Sequence, residues 1–299
     1  MTETQHLFEL ELELPNERLR DLPKRLIGFE RRYEALHRDL RMLVDAEGLA
    51  KWSTKHHGRV LPIVERAQDR YPLVIFHGDV GTGKTETAEA AADRLAREIR
   101  KEAWLFKLST RVRGSGTVGQ MSTLINQAFQ VITEQAGKAR HVFLIIDEAD
   151  SLAGDRGFAQ SHHEDKVAVN TLIQKIDEMR RFAGRILIFL CTNRFHALDP
   201  AIVRRAGRTE TFARPSDAER RALFEMDLAG LELSDKELGK LVSLTGPTAD
   251  DGRPGFTFSD LRTRLVPEAL SRAFPDRPLK AQDLLDAAAA LQPSPAVDL

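Results

Sequence analysis

"LVIFHGDVGTGKT", residues 73–85, holds the reading on which the fold turns. An apolar run, Leu73 to His77, passes directly into Gly78, Asp79, Val80, Gly81, Thr82, Gly83, Lys84 and Thr85. From Glu86 onward Ala88, Ala91, Ala92, Leu95 and Ile99 recur at helical spacing. A glycine-rich loop with the spacing GxxxxGK[ST], between a strand and a helix, is a phosphate cradle. Its glycines let successive amides turn inward around phosphate oxygens, and the helix N-terminus adds its positive end. Lys84 reaches the outer phosphates, and Thr85 offers a hydroxyl to magnesium. The expected ligands are therefore a nucleoside triphosphate and Mg2+. A strand feeding a helix in this way also opens a parallel crossover unit, which fixes the fold class.

Working outward, further strand-like runs stand at Ala103 to Leu108, Val142 to Ile146, Ile186 to Cys191 and Glu210 to Ala213, with helical patterns between them. Near-continuous apolar runs mean strands covered on both faces. The expectation is an α/β fold with a five-stranded parallel sheet over residues 27–214. After Pro215 only helical patterns follow. Ser216 with Glu219 and Ser234 with Glu237 have capping-box spacing, so 215–292 reads as a small all-helical lid. Residues 293–299, short and rich in proline, are expected to be loose. In residues 1–26, Phe8, Leu10, Leu12 and Leu14 alternate with Glu9, Glu11 and Glu13, and Pro15 ends the run. Period two argues for a strand with its leucines on one face, either an edge strand completing a core or a strand that docks a partner.

Two further strand ends carry chemistry. The third run meets "DEAD", Asp147 to Asp150, where acids point into the ligand crevice of an open α/β sheet. Asp147 is placed to share magnesium with Thr85, and Glu148 to polarise an attacking water. The fourth run ends at Asn193, a neutral amide able to donate to a γ-phosphate and fix that water. Just beyond lies "LDPAIVRRAGRTE", with Arg204, Arg205 and Arg208 close together.

The chain of 299 residues carries 44 basic and 45 acidic side chains, a net charge of -1. That supplies no long-range field for gripping nucleic acid and weighs against such a partner. There is no apolar run long enough for a membrane span and no signal-peptide layout, so the expected location is the cytoplasm. The single cysteine, Cys191, excludes an internal disulfide and reads as a buried thiol. The adjacent pairs His56 with His57 and His162 with His163 lack the further ligands a tetrahedral site needs.

Together the phosphate loop, "FLIIDEAD", Asn193, "DPAIVRRAGR" and the helical lid resemble the AAA+ ATPases, a likeness that covers about Ile27 to Ala289. The resemblance implies that Ile27 and Gly28, in "LIGFERRYEALHRDL", lie on the adenine side. It implies that Arg205 and Arg208 are arginine fingers reaching a neighbouring subunit's γ-phosphate, with Arg204 at a surface or interface. It also implies a lid arginine on the nucleotide, Arg262 first and Arg264 second, and a homo-oligomeric ring, most often a hexamer. Within the family, "LIGFERRYEALHRDL", "DKVAVNTLIQKIDEMRR" and "CTNRFHALDPAIVRRA" look most like the pachytene-checkpoint remodellers of HORMA-domain proteins. Their short bacterial relatives, found with anti-phage nucleotide-signalling (CBASS-type) systems, share the likeness. The implied function is an ATP-hydrolysing ring that disassembles or partly unfolds a HORMA-domain partner, threaded near Thr117 and Val118. One departure stands out: the expected pore loop, "RVRGSGTVGQMS", has no aromatic residue, and its Arg111 and Arg113 leave open a nucleic-acid-dependent motor or loader.

Overall fold

The five apolar runs form strands, and the N-terminal run joins them. In the computed structural model, which describes residues 7–109, 120–152, 163–248 and 252–297, the strands are β1 (Phe8–Leu14), β2 (Leu73–Gly78), β3 (Ala103–Leu108), β4 (His141–Ile146), β5 (Ile186–Thr192) and β6 (Arg208–Phe212). They make one six-stranded sheet in the order β1-β3-β4-β5-β2-β6. The pairs β3 with β4, β4 with β5 and β2 with β5 are parallel. The sheet is thus one strand larger than expected, because β1 adds to the edge of β3 in antiparallel register. Every residue of β4 and β5 is buried, as strands covered on both faces must be.

One face of the sheet, carrying Ile75, Phe106, Leu144 and Ile188, packs on Ile125, Phe129, Leu172 and Ile176 of the helices Gln120–Ala136 and His163–Met179. The alternate residues Val74, Phe76, Leu105, Phe143 and Phe189 are equally buried on the other face. The helix Phe29–Val44 contacts β5 and buries Phe29, Tyr33, Leu36 and Leu40 at heptad-like spacing.

β1 departs from its own alternation. Phe8 lies opposite Leu108, but Leu10 lies opposite Lys107, so Glu9 is an extra residue in the ladder, a β-bulge. Directly opposed residues share a face, which puts Phe8 with Phe106 and Leu108 and puts Leu10, Leu12 and Leu14 on the other side. The expectation of one apolar face for all four is corrected by that single extra residue. Phe8 packs on Phe106 with ring centroids 4.7 Å apart.

The chain divides into two compact units, Met1–His77 with Thr85–Thr211 and Gly78–Lys84 with Phe212–Leu299. In the second, both capping boxes form: Ser216 accepts from the Glu219 amide and Ser234 from the Glu237 amide, with each glutamate returning to the cap. Phe224, Leu241, Phe256, Leu261 and Leu284 make its core. Pro267 does not stop its helix. A π-helical turn, Asp260–Leu265, precedes the α-helix Val266–Ser271, leaving Pro267 in a first turn where no amide donor is needed. Within the stretch expected to be loose, Ser294 donates through N and Oγ to the buried Asp260 carboxylate at 3.1 and 2.6 Å.

Candidate functional site

Parallel strands bring their carboxyl ends to one edge, and there the first unit collects its polar groups. β4 ends at Ile146, paired with Leu190 of β5, so Asp147 and Glu148 emerge beside the tip from which Asn193 begins a turn. The Thr85 hydroxyl donates to Asp147 Oδ2 at 2.7 Å, and the Glu148 amide donates to Asp147 Oδ1 at 2.9 Å. Glu148 holds φ 47 and ψ 44, a left-handed conformation that a glutamate adopts at a cost. It presents an exposed side chain, while Thr192 anchors the neighbouring loop by donating to Asp150 at 2.9 Å. Thr85 and Asp147 are hard oxygen donors already in contact, a pair that fits Mg2+, which takes one or two protein oxygens and keeps the rest for water and phosphate.

Nearby, Glu89 is partly buried, and burial pushes its carboxyl above the usual range against the pull of Lys107. Lys107 itself, from the otherwise apolar run "AWLFKL", stands 3.5 Å from Asp147 Oδ2 and 3.3 Å from Glu9 Oε2. The sequence reading missed it, although a lysine inside a buried strand was the available signal.

In the second unit the phosphate loop is held by its own carbonyls and by one arginine. Lys84, 6% exposed, donates through Nζ to the carbonyls of Gly78 and Asp79 at 2.9 and 2.7 Å. Thr82 Oγ1 donates to the Asp79 carbonyl at 2.8 Å. Gly78 has φ +138, and a Cβ there would meet the Phe212 carbonyl oxygen at 2.1 Å; at Gly81, φ +70, it would meet Ser259 Cβ at 2.6 Å. Glycine is required at both positions. A buried ammonium bonded to loop carbonyls can exchange them for phosphate oxygens. Asp79 is 4% exposed; Arg214 Nε donates to its Oδ2 at 2.5 Å, and the amides of Val80 and Val297 donate to its Oδ1 at 3.2 and 3.1 Å. Arg214 also donates to the Gly255 carbonyl at 2.6 Å. This tie was not legible in the sequence, where the two residues lie far apart. Val80 is half exposed and Glu86 is exposed at the helix start.

The remaining expected residues are spread out. Ile27 and Gly28 form the turn before the helix Phe29–Val44, with Gly28 at φ 76. Arg205 is gripped within its own chain: Nε and Nη2 donate to the Asp177 carboxylate at 2.5 and 2.9 Å, and Nη1 donates to the Ala201 carbonyl at 2.8 Å. Arg208 donates to Asp39 at 3.2 Å and to Glu210 at 3.1 Å. Arg204 is the exposed member of the three. In the second unit Arg262 forms a two-point pair with Asp227 at 2.6 and 3.0 Å, and Arg264 bonds Asp260 at 2.8 Å. Thr117, Val118, Arg111, Arg113 and His162 lie outside the described residues. His56 and His57 end a helix and pack on Trp52. Among the described residues no helix is long and apolar enough to cross a membrane.

The family model described as "ATPase family associated with various cellular activities (AAA)" matches residues 74–214. The chain is 52% identical over 290 residues to CD-NTase-associated protein 6 of Escherichia coli (strain KTE188), covering 97% of each. It superposes on a chain of the E. coli MS115-1 HORMA:CdnC:Trip13 complex with a TM-score of 0.90 at 38% identity, covering 99% of both. Rhizobiales Trip13 matches with a TM-score of 0.72 at 34% identity, over 97% of this chain and 100% of that one.

Proposed function

This chain belongs to the AAA family of ATPases, and we propose that within it the protein is a ring-forming remodeller, most simply a hexamer, that uses ATP hydrolysis to open or disassemble a HORMA-domain partner in an anti-phage signalling system. The observation that carries this reading is the end-to-end likeness to a chain solved in a complex with HORMA and CdnC proteins. Its place of action is the cytoplasm.

The chemistry follows from the residues. The loop Gly78–Lys84 binds the phosphates through its amides and the Lys84 ammonium, and Thr85 with Asp147 holds the cation. A bound magnesium ion supplies neutralisation of charge on the phosphate oxygens. Glu148 accepts a proton from the attacking water, and Asn193 orients that water against the γ-phosphate. Ile27 and Gly28 border the base, and Arg262 leaves Asp227 to reach the nucleotide. Arg205 and Arg208 act on the neighbouring subunit's phosphate, Arg205 once it exchanges Asp177 for that charge. The partner's chain is threaded past Thr117 and Val118.

ATP turnover measured alone, with a HORMA-domain protein, and with single-stranded DNA or RNA tests the assignment. Stimulation by the HORMA-domain protein is expected; stimulation by nucleic acid alone would replace this reading with a nucleic-acid motor or loader.

A further inference from the structure

The bulge in β1 places a carboxylate where a regular strand would not. Because Glu9 is the extra residue between Phe8 and Leu10, its side chain reaches Lys107, 3.3 Å from Oε2 to Nζ. Lys107 lies opposite Ile145 of β4, so it shares a face with Ile145 and with Asp147 two residues on. Its ammonium is 3.5 Å from Asp147 Oδ2, the same oxygen that accepts the Thr85 hydroxyl at 2.7 Å. The three charged side chains are only 37%, 21% and 26% exposed for Glu9, Lys107 and Asp147, so solvent screens them incompletely.

That oxygen has two claimants. A divalent cation held by Thr85 and Asp147 must approach it against a fixed positive charge one contact away. Glu9 gives the ammonium an alternative carboxylate and weakens its hold on Asp147. We propose that Lys107 is a positioning residue that competes with the divalent cation at Asp147, and that Glu9, on the bulged edge strand, relieves the competition. The cation affinity of the phosphate site is thereby set from the N-terminal strand, and any partner that displaces β1 weakens it. The inference rests on the reading of Asp147 as a holder of the cation.

The test follows release of a fluorescent ADP analogue from the full chain as free Mg2+ is raised, and reads the midpoint at which release slows. Lys107→Met is expected to lower the midpoint about tenfold, and Glu9→Gln to raise it about threefold, by loss of one partly screened charge pair. Lys107→Arg, which keeps the charge, restores a midpoint close to the parent. Glu9→Gln combined with Lys107→Met matches Lys107→Met alone, because Glu9 acts only through the lysine. Lys107→Gln serves as a second neutral variant if the methionine melts early. Asp147→Asn separates the two levels. If it raises the midpoint while the Lys107 and Glu9 variants leave it unmoved, the competition is refuted and the cation reading stands. If Asp147→Asn leaves it unmoved as well, the cation reading and the inference fall together.

Discussion

Arg214→Met removes the cation that bonds the buried carboxylate of the phosphate loop. Asp79 is 4% exposed and the Arg214 side chain 12%, with 2.5 Å between Nε and Oδ2. Deleting one partner of such a pair leaves an uncompensated buried charge, a loss of about 3–5 kcal/mol. Two backbone amides, from Val80 and Val297, still bond the carboxylate, which puts the loss at the lower end, about 3 kcal/mol. For the second compact unit, which has the size of a small domain, that is a fall of about 12–24 °C in Tm. Asp79→Asn combined with Arg214→Met leaves no charge to bury and is expected to recover most of the loss. The loop is affected as well as the stability. The Asp79 carbonyl receives both Lys84 and Thr82, so freeing the side chain lets the loop leave its binding conformer. A bias of about 1.4 kcal/mol against that conformer weakens nucleotide binding about tenfold. Thermal unfolding of the two single variants and the double, with titration of a fluorescent nucleotide, reads both effects. Single losses below about 1 kcal/mol, or a double variant as unstable as the sum of the singles, refute the argument.

Glu148→Gln is expected to bind ATP as the parent does while turnover disappears, seen by comparing nucleotide titration with phosphate release. Arg205→Ala should leave nucleotide affinity intact and lower hydrolysis on the order of 10³. Its lost pair with Asp177, the two side chains 19% and 39% exposed, costs about 1 kcal/mol, so a melting curve lowered by no more than about 2–4 °C separates the catalytic effect from a folding defect. Gly78→Ala drives a Cβ to 2.1 Å from the Phe212 carbonyl oxygen and should abolish nucleotide binding, measured by titration. Asp260 is held at about 2: burial raises its carboxyl, but bonds from Ser294, Thr257 and Arg264 outweigh that and lower it. The stability it supplies is therefore full above the ordinary carboxylate value and lost as pH falls from about 4 to about 2, so Asp260→Asn should flatten the acid limb of the melting curve.

What the sequence disclosed was local in the chain. The phosphate loop, Asp147 with Glu148, and Asn193 each follow an apolar run by one or two residues, so strand order alone assigns them to strand ends. The capping boxes at Ser216 and Ser234 span three residues and were equally plain. What stayed hidden depends on register and distance. A single extra residue at Glu9 turns Phe8 to the opposite face, and alternation cannot show where a ladder slips. The Lys107 contacts join β1, β3 and β4, and the ties of Asp79 to Arg214 and Arg205 to Asp177 join segments whose proximity only folding creates. Pro267 cannot donate an amide bond, and the π-helical turn before it, which no local pattern announces, absorbs the defect.

The central claim, that hydrolysis at this site remodels a HORMA-domain partner, is tested most directly by release of that partner from its bound target. The preformed complex is incubated with the chain, ATP and Mg2+, and the free partner is separated by size. The account predicts release with the parent chain, none with Glu148→Gln, and retention of the partner on that variant. Release that proceeds equally with Glu148→Gln, or none with a parent chain that hydrolyses ATP, contradicts it.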